Sequence, residues 1–187
     1  IEGENRLSTQ KIKEGDLIII NGTIGDHGMA ILNQREGFNF SCSIKSDCNL
    51  ISDLVRRTLN QSQGIKFLRD PTRGGLATVL IEIAESKQIN ICLEENSLPV
   101  NREVASLSKL LGLDPLYLAN EGKVLMIVDK AEGEKIINLM RKDVKGKEAK
   151  IIGKVARGEE AKVFIKTKIG GKRILNRLTG NMLPRIC

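Results

Sequence analysis

"GDLIIINGTIGDHGMAIL" spans residues 15–32. Its first part, Gly15 to Ile24, is a short apolar, β-branched run between glycines, a pattern that predicts a buried strand. The second part predicts a helix over 26–36 that ends at Gly37. A buried strand running through a glycine turn into a helix marks the chain as α/β from its first element.

The pattern continues outward. After a polar stretch at 39–48, "LISDLVRRTL" sets Leu50, Ile51, Leu54, Val55 and Leu59 at helical spacing, which predicts an amphipathic helix. "IKFLRD" (65–70) is a brief strand, and "PTRGGLATVLIEIAESKQ" (71–88) is a turn entering a helix with Leu76, Val79, Leu80 and Ile83 on one face. Strand 89–94, a helix over about 101–111 stopped by Gly112 and Pro115, strand 123–129 and helix 131–143 follow. Strands at 149–156, 161–167 and 172–178 close the series. Strands alternate with helices early and are expected to pair as hairpins late, so the predicted architecture is α/β (α+β), a mixed sheet packed against helices. The expected boundaries are a linker at 1–14, one α/β domain at 15–178 and a mobile tail at 179–187. Neither an internal repeat nor a low-complexity segment interrupts the chain.

Length and composition fit one main core: 187 residues, 41% hydrophobic and 28% charged. No apolar run approaches the roughly 20 residues needed to span a bilayer, and the opening "IEGENRLSTQ" is too polar for a signal peptide. Because Ile1 is not a start methionine, the chain reads as part of something longer. The net charge of +7 raises nucleic-acid binding, but lysine and arginine are scattered among acids and five aromatics offer few stacking platforms. A lysine-rich solvated surface accounts for the charge better. Cys42, Cys48, Cys92 and Cys187 form no Cys-x-x-Cys pair, so neither a zinc knuckle nor a disulfide framework is expected. The first three are expected to be buried or half-buried thiols, and the setting cytoplasmic.

Four stretches have residues suited to chemistry. "RDPTRGGLA" (69–77) places Thr72 as an expected helix N-cap, with Arg73, Gly74 and Gly75 opening the helix. Bare backbone N–H groups and a guanidinium there suit an anion; the plainer reading is a capped helix whose glycines allow tight packing. "TIGDHGMA" (23–30) has the chain's single histidine, His27, in a helix first turn that favours neutral imidazole able to donate and accept a hydrogen bond; a lone histidine is more often a surface or packing residue. In "ANEGKVLMIV" (119–128), Asn120, Glu121 and Lys123 stand at the mouth of a strand, where a carboxylate can act as base and an ammonium as clamp, or where a polar turn needs no function. Finally, Cys187 follows Pro184 and Arg185 in a tail with few apolar residues, either a thiol placed to reach more than one site or simply the residue on which the gene stops.

Taken together, "GDLIIINGTIGDHGMAIL", "IKSDC" (44–48), "RDPTRGGLATVLIEIA" (69–84), "LANEGKVLMIV" (118–128) and the closing "PRIC" resemble, in order along the chain, the HypE family of hydrogenase maturation proteins. That family belongs to the ATP-using superfamily of aminoimidazole ribonucleotide synthetase and selenophosphate synthetase. The resemblance implies a C-terminal α/β domain whose N-terminal partner domain supplies the acidic magnesium ligands and the homodimer interface. It further implies ATP and Mg2+ as cofactors, HypF as the donor of a carbamoyl group to Cys187, and a HypC–HypD complex as cyanide acceptor. The implied reaction is ATP-dependent dehydration of the thiocarboxamide to a thiocyanate for the iron of a nickel-iron hydrogenase, performed by the full-length protein and not by this portion alone. Neither nucleic acid nor membrane enters it.

On this reading Asp26, Asp70, Thr72, Arg73, Gly74, Gly75 and Lys123 are expected at the nucleotide, and the general base is Glu121 or else His27. Asp70 either orients its loop or touches magnesium, and Asp47 is either structural or ligand-facing. The alternatives are another ATP-dependent synthetase of the superfamily, which has no need of "PRIC", or a non-catalytic carrier module.

Overall fold

The computed structural model describes residues 7–35 and 44–178. Among them, strands β1 (Leu17–Ile20), β2 (Ile65–Arg69), β3 (Asn90–Glu94), β4 (Leu125–Val128), β5 (Lys150–Ala156), β6 (Val163–Lys166) and β7 (Lys172–Leu175) form one sheet. Its order is β2-β4-β1-β5-β3-β6-β7. Every neighbouring pair is antiparallel except β3–β6. Helices α1 (Asp26–Arg35), α2 (Ser52–Gln61), α3 (Gly75–Lys87), α4 (Arg102–Leu111) and α5 (Gly133–Arg141) accompany it. The mixed sheet packed against helices is therefore present.

The run that predicted β1 is apolar on both sides because both sides are covered. Ile18 and Ile20 meet α3 through Leu76, Leu80 and Ile83, while Ile19 turns to the opposite face, against Leu54 of α2 and Ile136, Ile137 and Met140 of α5. All three isoleucines are fully buried, and each burial contributes about 1.5–3 kcal/mol. Neighbouring β4 divides in the same way, with Leu125 and Ile127 toward α3 and Met126 and Val128 toward α2 and α5. A smaller cluster joins α1 to α4 through Met29, Leu32, Val104 and Leu118.

Three expectations change. β5 and β6 do not pair as a hairpin: β3 lies between them, antiparallel to β5 and parallel to β6. Asn90 explains the insertion, since its side chain accepts from the Lys162 N–H at 3.1 Å and donates to the Arg157 carbonyl at 3.4 Å, lacing the β5–β6 connection over the start of β3. Leu50 precedes α2 and is 72% exposed, because the helix starts only at Ser52. Thr72 does not cap α3; Gly74, in the left-handed conformation at φ 68°, holds that place, and Thr72 offers its carbonyl to the Gly75 N–H at 3.1 Å. The expected helix end at Gly37 and the tail at 179–187 lie outside the described residues.

Antiparallel pairing decides where the loops meet. Register pairs Ile20 with Leu125 and Arg69 with Leu125, so the C-terminal ends of β1 and β2 flank the N-terminal end of β4. The turns at 21–25, 70–74 and 118–123 thereby converge. Asn120, 1% exposed, fastens them. Its Oδ1 accepts from the Gly25 N–H at 2.8 Å, and its Nδ2 donates to the carbonyls of Pro71 and Leu118 at 2.9 and 3.0 Å.

At the opposite end of the sheet, buried Lys66 contacts Asp16 at 2.5 Å and Asp129 at 3.3 Å. The Ala131 amide first, then Lys66, hold the Asp129 carboxyl well below its ordinary value of 3.8, at about 2.

Two outcomes follow. Asn120→Asp keeps the acceptor for Gly25 but turns a second oxygen on two carbonyls, so chemical denaturation is expected to show a loss of about 2–4 kcal/mol, and more than for Asn120→Ala. For Asp129 the folded value is depressed, so its stabilisation is complete above about pH 4 and is lost as pH falls toward 2. Thermal melts of wild type and Asp129→Asn should therefore differ at pH 6 and converge as the pH is lowered toward 2.

Candidate active site

The loops gathered by Asn120 border an open cleft of about 540 Å³. Asp70, Thr72 and Arg73 line it from the β2–α3 turn, Thr78 and Glu82 from α3, and Glu121 from the turn before β4. Two of the sequence motifs, "RDPTRGG" and "NEGK", thus share one wall-to-wall site. Arg73 is exposed, and among the described residues none is recorded as pairing with its guanidinium, which leaves all its donors for a ligand.

The glycine pair shapes the floor. Gly74 has no room for a side chain, since a Cβ would lie 2.2 Å from Thr78 Oγ1; a Cβ on Gly75 (φ 62°) would lie 2.5 and 2.6 Å from the carbonyl oxygens of Leu116 and Leu118. So the plainer reading of these glycines, tight packing, holds for Gly75, and that packing is what brings the 116–121 segment against the start of α3. The left-handed turn at Gly74 sets Thr72 and Arg73 on the cleft side of the helix start.

Other expected residues lie apart from that cleft. Asp26 is 5% exposed and both its oxygens are engaged, Oδ2 by Thr23 Oγ1 and Oδ1 by Asn101 Nδ2 at 2.5 Å. It anchors the β1–α1 turn. His27 is half-buried, with Nδ1 2.8 Å from Ser46 Oγ. Lys123 turns into a separate recess shared with Asn21, Thr23 and Lys145, where its ammonium lies 3.0 Å from Asp47 Oδ2. The bend at Gly122 parts it from Glu121, and Asp47 Oδ1 accepts the Glu121 N–H at 3.1 Å. Asp47 is thus structural toward the turn and charged toward Lys123. Its side chain is 5% exposed.

Several contributors were not singled out as site residues by sequence. Arg69 lines the cleft and pairs with Glu82 at 2.5 Å; its place at the head of "RDPTRGG" was the available signal. Asn120 was visible in "ANEGK" only as a polar turn residue. Asn21, 1% exposed, accepts the Val124 N–H at 2.8 Å and donates to Lys145 O at 2.9 Å, fixing the end of β1, with nothing in its neighbours to announce it. Of the cysteines, Cys92 is half-buried as expected, but Cys48 is exposed because residues 44–49 lie across the surface; Cys42 and Cys187 fall outside the described residues.

The open Arg73, the hydroxyls of Thr72 and Thr78 and the glycine turn suit the phosphates of a nucleotide, while Asp70, Glu82 and Glu121 line the same cleft and Arg69 is paired to Glu82. The cleft does not fit a magnesium ion alone: among the described residues, no group of three His, Cys, Asp or Glu side chains gathers to hold a metal. No helix among them is long and apolar enough to cross a membrane.

The chain is similar to carbamoyl dehydratase HypE from Cupriavidus necator, 44% identical over 175 residues that make up 94% of this chain and 50% of that one. Among solved structures it resembles hydrogenase maturation protein HypE in complex with ATP, at 40% identity and a TM-score of 0.90, covering 97% of this chain and 55% of that one. It also resembles a HypE–HypF complex, at 41% identity and a TM-score of 0.87, covering 92% and 56%. The chain spans about half the length of the curated relatives it matches. Residues 13–166 match the C-terminal domain of AIR synthase related proteins, and the chain belongs to that family.

Proposed function

We propose that this chain is the C-terminal part of a carbamoyl dehydratase that makes cyanide ligands for nickel-iron hydrogenase, with 1–14 as linker, 15–178 as the domain and 179–187 as the segment that presents Cys187. The observation behind the reading is the meeting of Arg73, Asp70 and Thr72 with Glu121 in one cleft. The names of the similar HypE proteins and of the ATP and HypF complexes support it.

The chemistry follows from the groups present. In R–S–CO–NH2 the amide oxygen is a poor leaving group. Transfer of the γ-phosphoryl of ATP to that oxygen makes it a good one; phosphate then departs with the oxygen, both nitrogen-bound protons are lost, and R–S–C≡N remains beside ADP and inorganic phosphate. Catalysis of such a transfer is mostly positioning and charge neutralisation. Arg73 and Arg69 neutralise charge on the transferring group, and Thr72 and Thr78 offer hydroxyl donors. Glu121 takes a proton from the amide nitrogen. His27, the other candidate for that role, lies on α1 bound to Ser46 and does not line the cleft, which favours Glu121. Asp70 orients the turn within the cleft, and Lys123 acts through Asp47 on the position of Glu121.

Magnesium ligands, on this reading, come mainly from an N-terminal domain of the full-length protein, which also forms the homodimer. HypF supplies the carbamoyl group, a HypC–HypD complex receives the cyanide, and the reaction runs in the cytoplasm.

Intact-mass measurement on the full-length protein tests this. Incubation with HypF, carbamoyl phosphate and ATP should add one carbamoyl group to wild type and none to Cys187→Ala; fresh ATP should then remove one water. Glu121→Gln should load normally and dehydrate about 10²–10⁴-fold more slowly. Arg73→Ala should load normally and lose ATP-dependent dehydration. Absence of any mass gain on wild type, with HypF active on another acceptor, would overturn the reading.

A further inference from the structure

The stretch 44–50 has no regular secondary structure and lies across the surface, yet side chains fasten it along its whole length. Ile44 packs into the cluster that joins α1 to α4. Ser46 Oγ lies 2.8 Å from His27 Nδ1 and accepts the Cys48 N–H at 3.1 Å. Asp47 Oδ1 accepts the Glu121 N–H at 3.1 Å, and Asp47 Oδ2 meets the Lys123 ammonium at 3.0 Å. The Lys145 ammonium donates to the Leu50 carbonyl at 2.5 Å. Two motifs that the cleft left aside, "IGDHG" (24–28) and "IKSDC" (44–48), thus meet each other.

These contacts close a ring. Helix α1 is joined directly to the turn before β4, because the Gly28 N–H donates to the Ala119 carbonyl at 3.0 Å. From His27, beside Gly28, the ring runs through Ser46 to Asp47 and from Asp47 back to Glu121. Gly122 completes the seat: a Cβ there would lie 2.0 Å from the Asp47 carbonyl oxygen, so the stretch rests directly on the backbone of the turn. Asn120 holds that turn from inside, and Asp47 holds it from outside. The Asp47 and Lys123 side chains are only 5% and 11% exposed; loss of either charge would strand the other in a buried place, so this contact is the firm part of the stretch. Ser46 is exposed, and a hydrogen bond at the surface exchanges readily with water, so what its link to His27 supplies is direction more than stability.

We infer that His27 is a positioning residue, acting through Ser46 and Asp47 to hold the backbone of Glu121 so that its carboxylate enters the cleft. On this assignment His27 itself exchanges no proton with the substrate. The inference deepens the function proposed above and rests on the role given there to Glu121. A base must stand within hydrogen-bond reach of the proton it takes, and a displacement of about 1 Å can cost about 10²-fold in rate.

The test uses the full-length protein. Ser46→Ala removes one exposed hydroxyl, a change that should leave the fold and its melting temperature alone; His27→Ala removes the ring, and His27→Asn puts a polar atom back near the place of Nδ1. In the first arm, hydrogen exchange is followed at the amides of residues 119–123. Ser46→Ala and His27→Ala should each speed it about fivefold, and His27→Asn should stay within about twofold of wild type. In the second arm, single-turnover dehydration of the carbamoylated protein should slow about tenfold in Ser46→Ala and His27→Ala, with the half-saturating ATP concentration unchanged. In a Glu121→Gln background the same substitutions should alter the remaining rate by less than about twofold, because the group they position is gone. Unchanged exchange at 119–123, or losses that add in full to that of Glu121→Gln, would overturn the inference, the latter by making His27 a participant in the chemistry. Failure of wild type to dehydrate, or a wild-type rate in Glu121→Gln, would instead sink the proposed function, and the exchange arm would still decide whether His27 holds the turn.

Discussion

The carboxamide of Asn120 is the constraint on which the cleft depends. A buried amide with one acceptor and two donors can be satisfied only if complementary backbone groups come to it. Here they come from three separate loops: an N–H from the β1–α1 turn and carbonyls from the β2–α3 turn and from its own segment. No regular secondary structure relates those loops. The sheet brings their ends to one edge, and the amide sets their spacing. Asn21 does the same work one strand away, and Asn90 at the far end of β3. Each is a neutral polar group, so each fixes geometry without the desolvation cost of a buried charge.

Much of this was legible in residue patterns. Ile18, Ile19 and Ile20 spelled a strand covered on both faces, and Leu76, Val79, Leu80 and Ile83 spelled the helix that covers one of them. Arg73 and Glu121, although 48 positions apart in sequence, lay in the two motifs that the structure unites. The misreadings had a common cause. Local chemistry made Thr72 the obvious cap and made β5 and β6 an obvious hairpin, and in each case a distant group prevailed. Gly75 must press against the carbonyls of Leu116 and Leu118, which moves the helix start past Thr72. Asn90 must hold both ends of the 157–162 connection, which inserts β3. Contacts between residues far apart in sequence leave no periodic trace.

Charge is distributed with a division of labour. Lys66, Asp16 and Asp129 form a buried cluster remote from the cleft, on the side of the sheet where the chain needs only to be held. In the cleft, Arg69 is paired to Glu82 while Arg73 stays open to a ligand, and in its separate recess Lys123 is paired to Asp47. A site for a highly charged substrate gains from donors fixed in place before it arrives. The paired residues are fixed by their partners and Arg73 by the glycine turn beneath it.

The insertion of β3 between β5 and β6 also orders events in time. β1 cannot acquire its inner neighbour until residues 150–156 exist, and β3 cannot be flanked until 163–166 do. Pairings of such long sequence separation form slowly, and during synthesis the middle of the sheet closes only after residues 150–166 have left the ribosome. Residues 176 and 177, which touch Tyr117 and Glu85, are reached only after that closure. The connectivity of the sheet therefore makes the contacts of residues 176 and 177 a late event, open only to a domain whose central strands are already paired.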